Sequence, residues 1–307
     1  MSGLQAHVDD YLGLRRGLGF KLEYSGRALP QLVAYLEAAG AATLTSELAI
    51  SWAQAPRGAQ PTHWARRLAV ARGFAAYMKT IDPATEVPPR DVFGARQRRR
   101  RTPYLWSRHD VVGLLEATQA LRPPVRAASY QTLFGLLAVS GMRVGEAIAL
   151  ARDDVDLSAG VLTITEAKFG RSRLVPLHPS TTNQLRSYAA RRDRLCPKAR
   201  SRAFFLSSAG TTMHYSNVRG TFVMLTSAIG LRTPEVQPRI HDLRHSFAVD
   251  TLIRWQHSRT DVATWMPALS DYLGHVNPAG TFWYLSATPE LMQLAAQRLD
   301  ERFGGQQ

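Results

Sequence analysis

The feature that most limits the folds open to this chain is a run of like charge part-way along it. Between Arg96 and Arg101 five of six residues are arginine, Arg96, Arg98, Arg99, Arg100 and Arg101, with Gln97 among them. Cations at that density repel one another and resist burial, and Pro83, Pro88 and Pro89 stop a helix arriving from the N-terminal side. One core cannot run through such a stretch. The 307 residues are therefore expected to form a unit at 1–95, a basic linker at 96–103 and a second unit at 104–307, a length sufficient for two ordinary cores.

On the N-terminal side apolar residues recur at helical spacing. Val8, Tyr11, Leu12, Leu14 and Leu18 make one stripe, and Leu29, Leu32, Val33, Tyr35 and Leu36 make a second that Gly40 ends. A third helix is expected from an N-cap at Thr45 to Pro56. A fourth follows Pro61, with Trp64, Leu68, Ala71, Phe74, Ala75 and Met78 on one side. Four amphipathic helices with short polar loops predict a compact bundle. Its 10 basic and 8 acidic residues nearly cancel, so net charge does not make this unit the main anion binder.

Beyond the linker, Ser107 and Asp110 have the spacing of a capping box, and a buried helix is expected over 127–140. Gly141 to Glu146 interrupt the apolar pattern before it resumes at Ala147. Strands are expected at 160–165 and 172–177, joined by a hairpin loop at 166–171. Further helices are expected at 179–195, 215–229, 242–255, 261–274 and 289–302. The fold class is mainly α with a small antiparallel β-sheet.

The net charge of +14 points to a polyanionic partner. Nucleic acid ranks ahead of an anionic membrane surface, because the basic residues are not gathered on one amphipathic helix. Apolar runs such as Thr132–Met142 are too short to span a bilayer and the N-terminus lacks a basic-then-apolar signal pattern, so a soluble, cytoplasmic protein is expected. The single cysteine, Cys196, excludes an intrachain disulfide and a cysteine zinc cluster. Of 38 basic residues only Lys21, Lys79, Lys168 and Lys198 are lysine, so a lysine at a functional position needs its own reason.

The residues able to carry chemistry lie where the backbone pattern breaks. Arg143 stands between Gly141 and Gly145, where a long side chain can leave the core surface for a cleft. Lys168 lies at the tip of the expected hairpin, able to carry a compact ammonium into a site. In IHDLRHSF, residues 240–247, His241 and Arg244 are three apart and share a helical face, whereas Leu243 and Phe247 suit the core. His241 and His245 have a metal-like spacing, but Asp242 stands where zinc-protease chemistry requires Glu and no third ligand is near, so no metal is expected. Last comes LGHVNPAGTFWYL at 273–285, with His275 and Tyr284 nine residues apart. The Asn-Pro and Gly between them forbid one continuous helix. A tyrosine with an ordinary pKa of about 10 is a poor nucleophile and needs cations around it before it can attack anything.

Taken in chain order, Arg143, Lys168, His241-x-x-Arg244, His275 and Tyr284 resemble the tyrosine recombinase family, also called phage integrases, across nearly the whole chain. The matching words are SGMRVGEAIAL at 140–150, EAKFGRSRLVPL at 166–177, HDLRHSFA at 241–248, and LGH followed nine residues later by Tyr284. The N-terminal helices resemble the family's core-binding domain. Two departures stand out. Arg244 and His275 are 31 positions apart, with WQHSRTDVATWMP at 255–267 as the expected insertion. The segment ahead of Tyr284 is also unusually aromatic, so Trp283 is expected to pack tightly.

The resemblance implies a site-specific recombinase or integrase that cuts and rejoins DNA without metal, ATP or other cofactor, and the insertion at 255–267 points towards a mobile-element enzyme rather than a chromosome-dimer resolvase. The resemblance also implies Tyr284 as the nucleophile forming a 3′-phosphotyrosyl link. Arg143 and Arg244 would hold the non-bridging oxygens, His241 and His275 would bond the same phosphate, and Lys168 would protonate the leaving 5′-oxygen. Glu146, three residues after Arg143, is suited to orient that region. The linker arginines are expected to lie along phosphates. The implied partners are double-stranded DNA recombination sites and further copies of the chain, as a tetramer on two sites. In that assembly the amphipathic segment 288–302 is either exchanged between protomers or packed on its own domain. Two other readings stay open: a type IB-like topoisomerase with a similar active site, and an inactive DNA-binding architectural protein, against which the complete residue set argues. The target DNA sequence is not legible in the chain.

Overall fold

A computed structural model of the chain describes residues 3–94, 102–167, 171–258, 260–275, 279–286, 291–293 and 296–297. It contains two compact units, Met1–Arg101 and Thr102–Gln307, each with its own core.

The first unit is built from α1 (Gly3–Gly17), α2 (Glu23–Ala38), α3 (Ser46–Gln54) and α4 (Pro61–Met78). The helix starts follow from local chemistry. Thr45 Oγ1 accepts from Leu48 N at 3.3 Å, and Pro61 occupies the first turn of α4, where no backbone donor is needed. Val8, Leu12, Leu29, Leu32, Leu36, Trp52, Leu68 and Phe74 meet in the core. The first stripe is narrower than its sequence suggests: Leu14 and Leu18 are exposed while Tyr11 and Leu12 are buried. Arg67 is spent inside this unit. Its guanidinium lies 3.9 Å from the centre of the Trp52 ring and donates to Trp52 O at 3.0 Å.

The second unit opens with α5 (Arg108–Ala117), started by the expected capping box: Asp110 N donates to Ser107 Oγ at 3.1 Å and Ser107 N to Asp110 Oδ2 at 2.9 Å. Then come α6 (Pro124–Ser140) and α7 (Val144–Ala149), so the helix after the glycine break resumes earlier than Ala147. The strands β1 (Val155–Asp156), β2 (Val161–Ala167) and β3 (Arg171–Pro176) form an antiparallel sheet in that order, with Leu162 opposite Val175 and Ile164 opposite Arg173. Among the described residues come α8 (Pro179–Leu195), α9 (Tyr215–Ala228), α10 (Ile240–His257), α11 (Val262–Leu273) and the short α12 (Ala279–Phe282), which runs into a 3₁₀ turn, Trp283–Ser286; the helix expected at 289–302 lies largely outside the described residues. The chain is thus mainly helical with a small antiparallel sheet.

Three differences from the sequence reading have local causes. Strand β1, only two residues long, carries no alternation to detect. Helix α10 starts two residues before Asp242, because the Asp242 carboxylate accepts from Arg239 N at 2.8 Å and so belongs to the third helical position rather than the cap. Within 255–267, residues 255–257 end α10, Asp261 accepts from Ala263 N at 3.0 Å and residues 262–267 open α11, while Arg259 lies outside the described residues.

The main core of this unit packs Leu133, Phe134 and Leu137 of α6 against Leu162, Ile164 and Val175 of the sheet and Phe222 of α9. A second cluster joins Val249 and Leu252 of α10 to Met266, Leu269 and Leu273 of α11, with Tyr284 and Leu291. Among the described residues no helix is long and apolar enough to cross a membrane.

Candidate active site

Two helices of the second unit stop at glycines, and the site is built on the carbonyls left open there. Gly141 ends α6 at φ +60°, where a Cβ would stand 2.5 Å from Phe247 Cδ1 and 3.0 Å from Leu273 Cδ2. Gly274 ends α11 at φ +68°, where a Cβ would meet Arg173 Nη1 at 2.6 Å. Both positions require the left-handed backbone and the missing side chain that glycine supplies.

A helix C-terminus presents backbone oxygens without partners and a partial negative charge. Arginines cover both ends here. Arg244 of α10 donates from Nη1 to Gly141 O at 2.8 Å and from Nη2 to Leu273 O at 2.7 Å. Arg143, just ahead of α7, donates from Nη2 to Gly274 O at 2.7 Å and from Nη1 to Glu146 Oε1 at 2.7 Å. The two guanidiniums differ in access. Arg244 is 1% exposed, whereas the Arg143 side chain keeps 31% of its surface open. Burial first, and then Arg143, push Arg244 down to about 10, which leaves it charged at neutral pH.

Glu146 lies between Arg143 and Arg173 of β3. Burial acts to raise its carboxyl, but hydrogen bonds from Arg173 and Arg143 hold it below the usual carboxylate range. It remains an anion and a bond acceptor.

Three imidazoles complete the surroundings. His241 and His245, one turn apart on α10, have ring centres 4.7 Å apart, and His245 faces the rings of Tyr284 at 5.4 Å and Trp283 at 5.5 Å. His275 bonds Thr281 Oγ1 through Nδ1 at 2.6 Å and lies nearly parallel to the Tyr284 ring at 6.1 Å. All three are pushed down to about 4. For His275 the causes are burial, then Arg244 and Arg143; for His245, burial, then His241. His241 keeps an exposed edge, yet the protein packed around the rest of the ring and then Arg244 disfavour its charged form, with Asp242 opposing.

Tyr284 is 2% exposed, and its side chain is a hydrogen-bonding and charge neighbour of Arg244. The Tyr284 ring therefore packs against residues of its own chain. The structure gathers Arg143, Glu146, His241, Arg244, His275 and Tyr284 into one corner of the second unit. Lys168 lies outside the described residues, as do Arg96, Arg98, Arg99, Arg100 and Arg101. Trp283, expected to pack tightly, stacks edge-on against Tyr284 and His245 but stays partly exposed.

The model of the phage integrase family matches residues 107–290, a span that contains every residue of this corner. The chain belongs to the phage integrase family. The recombinase is 46% identical to the integrase/recombinase y4rB of Sinorhizobium fredii, over 99% of each chain. It is 27% identical to the tyrosine recombinase XerC of Pelotomaculum thermopropionicum, over 78% of this chain and 76% of that one. It is a site-specific recombinase of the tyrosine type.

Solved structures share its fold. A XerH site-specific recombinase bound to palindromic difH in a post-cleavage complex matches with a TM-score of 0.63 at 17% identity, over 90% of this chain and 76% of that one. The Tn1549 transposon integrase in complex with transposon right end DNA matches with a TM-score of 0.64 at 15% identity, over 97% and 99%.

Two residues of the recombinase's corner escaped the sequence reading. The sequence pairs His245 with His241 only at a metal-like spacing, whereas its ring packs on Tyr284. Arg173 lay within EAKFGRSRLVPL without a role. Its signal was register: Arg173 shares a strand face with Val175, which is fully buried, and a charged residue at an inward position calls for a partner.

Proposed function

We propose that Tyr284 attacks a phosphodiester of double-stranded DNA in line. The Tyr284 Oη–phosphorus bond forms as the phosphorus–O5′ bond breaks, leaving a 3′-phosphotyrosyl link and a free 5′-hydroxyl. The observation that carries this reading is the packing of Tyr284 beside Arg244 and His275 of the same chain. Arg143 and Arg244 hold the non-bridging oxygens and stabilise the charge that builds on them in the transition state. Arg143, with its open surface, makes the first contact. His241 and His275 bond the same phosphate, and His241, neutral at physiological pH, is able to take the tyrosine proton. Lys168 gives a proton to O5′, a role closed to arginine, which does not release one near neutral pH. Bond energy is kept in the protein–DNA link, so resealing requires neither ATP nor a metal.

In this reading the N-terminal helical unit, residues 1–95, is a DNA clamp, the linker at 96–103 lies along phosphates, and 104–307 carries the chemistry. Its partners are recombination sites in duplex DNA and other copies of the chain, as a tetramer on two sites. The long spacing between Arg244 and His275, with segment 255–267 between them, supports integration or transposition over chromosome-dimer resolution. Because Tyr284 is buried in the free protein, DNA must draw it outwards before attack. The test is Tyr284→Phe, which keeps the ring and its packing: covalent capture of nicked DNA is expected to vanish while DNA binding remains. Capture that persists in this variant would sink the assignment.

A further inference from the structure

Arg173 occupies a position that ordinary sheet packing would fill with an apolar side chain. It shares the inward face of β3 with Val175, it lies opposite Ile164, and its side chain is only 12% exposed. Taking a guanidinium out of water is costly, and a well-packed apolar residue usually serves a core at least as well. The reason for an arginine must lie in what the guanidinium holds.

It holds two things. Nη1 and Nη2 form a fork on Glu146, to Oε1 at 3.2 Å and to Oε2 at 2.7 Å. Nε donates to Tyr272 O at 3.0 Å, near the end of α11. Glu146 in turn accepts Arg143 Nη1 on Oε1 at 2.7 Å and Arg143 N on Oε2 at 3.1 Å. Both carboxylate oxygens thus carry two donors each, which fixes the plane of the carboxylate and with it the Arg143 side chain. The fit at the other end is equally close, since the Arg173 guanidinium fills the space a Cβ on Gly274 would need, and Gly274 O is the other acceptor for Arg143.

Charge gives a second reason. A single carboxylate facing Arg143 alone would cancel it. Shared between Arg143 and Arg173, Glu146 leaves the group with net positive charge, so Arg143 is oriented without losing its attraction for an anion.

We propose that Arg173 is a positioning residue for strand cleavage: through Glu146 and the end of α11 it sets the place and the free charge of Arg143. This rests on the reading of Arg143 as a phosphate ligand and Tyr284 as the nucleophile. Arg173 does not touch DNA in this scheme. It also ties β3, the strand that follows Lys168 in sequence, to the corner where Arg143 stands.

The test uses the full chain and a supercoiled plasmid carrying the DNA that flanks its gene, counting covalent protein–plasmid adducts trapped by denaturant at saturating protein. Arg173→Ala is expected to slow adduct formation about 100-fold, the cost of misplacing a catalytic group by about 1 Å. The midpoint for plasmid binding should shift by less than about threefold, a KM-against-kcat split that marks transition-state placement. Arg173→Lys recovers at most about tenfold, because an ammonium cannot form the fork. Adding Glu146→Gln to Arg173→Ala should cost nothing further, since both act through Arg143 and the unshared carboxylate is gone.

Adduct rates within about threefold of the unmodified chain, losses of rate matched by equal losses of binding and melting temperature, or losses that multiply in the double variant would each overturn the proposal. If the unmodified chain forms no adduct, or Tyr284→Phe still does, the nucleophile reading fails instead. Arg173 is then judged by the crystal structure of Arg173→Ala: an Arg143 guanidinium still on Glu146 and Gly274 O overturns the positioning role, and a displaced one supports it.

Discussion

Three imidazoles sit in one positively charged corner, and each is harder to protonate there than in water. The charged groups that face them are Arg143, Arg239 and Arg244, opposed by Asp242. With folded pKa values of about 4 for His241, His245 and His275 against an unfolded value of about 6.5, the unfolded chain binds more protons throughout the interval between them. Stability therefore rises with pH across that window, and is lost as pH falls from the unfolded value towards the folded one. The melting temperature of the free protein is expected to hold level above about pH 7 and to fall steadily towards pH 5, before the carboxylates titrate. A phosphate in the corner reverses the local field and raises all three values. Duplex DNA of the gene's flanks is accordingly expected to bind more tightly at pH 6 than at pH 7.5, with protons taken up on binding, measured by calorimetry in two buffers of different ionisation heat. Net proton release would contradict the phosphate assignment.

At the scale of elements, the corner depends on where helices stop. Gly141→Ala forces a left-handed alanine into contact with Phe247 and Leu273. The expected loss is about 3 kcal/mol of unfolding free energy in denaturant titration, from backbone strain and overpacking together. Much of this layer is legible from sequence because it is local chemistry. Thr45, Pro61 and the Ser107–Asp110 pair mark helix starts through bonds made within a few residues, and Gly141, Gly274 and the Asn-Pro ahead of Tyr284 mark where helices end. Arg143, His275 and Tyr284 could be picked out because each stands at or beside such a break, and His241 and Arg244 because they share one helical face. What stayed hidden is long-range. Arg173 contacts Glu146 from 27 positions away and Tyr272 from 99: register places it on the inward face beside Val175, but spacing does not say which partner meets it there. The burial of Tyr284, and the ring of His245 against it, likewise depend on how α10 and the 3₁₀ turn meet, which spacing alone does not encode.

At the scale of the whole molecule, the net charge of +14 is unevenly held, with five arginines in the six residues 96–101. If these lie along phosphates, their effect on binding is independent of sequence and strongly dependent on salt. Replacing Arg98, Arg99, Arg100 and Arg101 with glutamine is expected to reduce the slope of log affinity against log salt by about 3 to 4, and to weaken matched and unmatched duplexes alike. An unchanged slope in filter-binding titrations would make the run a tether only. The helical unit contributes a different kind of cation: Arg67, held over Trp52, is unavailable to DNA. Basic residues counted from the sequence therefore overstate the charge that this unit can offer.

The pattern in which Arg244 serves the ends of both α6 and α11 and Arg143 joins it at the end of α11 has a practical meaning for anyone wanting an inert version of this enzyme. The same bonds that ready the corner for a phosphate also close two helices, so truncating either arginine would confuse a loss of chemistry with a loss of shape. Tyr284→Phe removes one oxygen and its bond to Arg244 but leaves both helix ends closed by the arginines, which makes it the cleaner way to silence the protein.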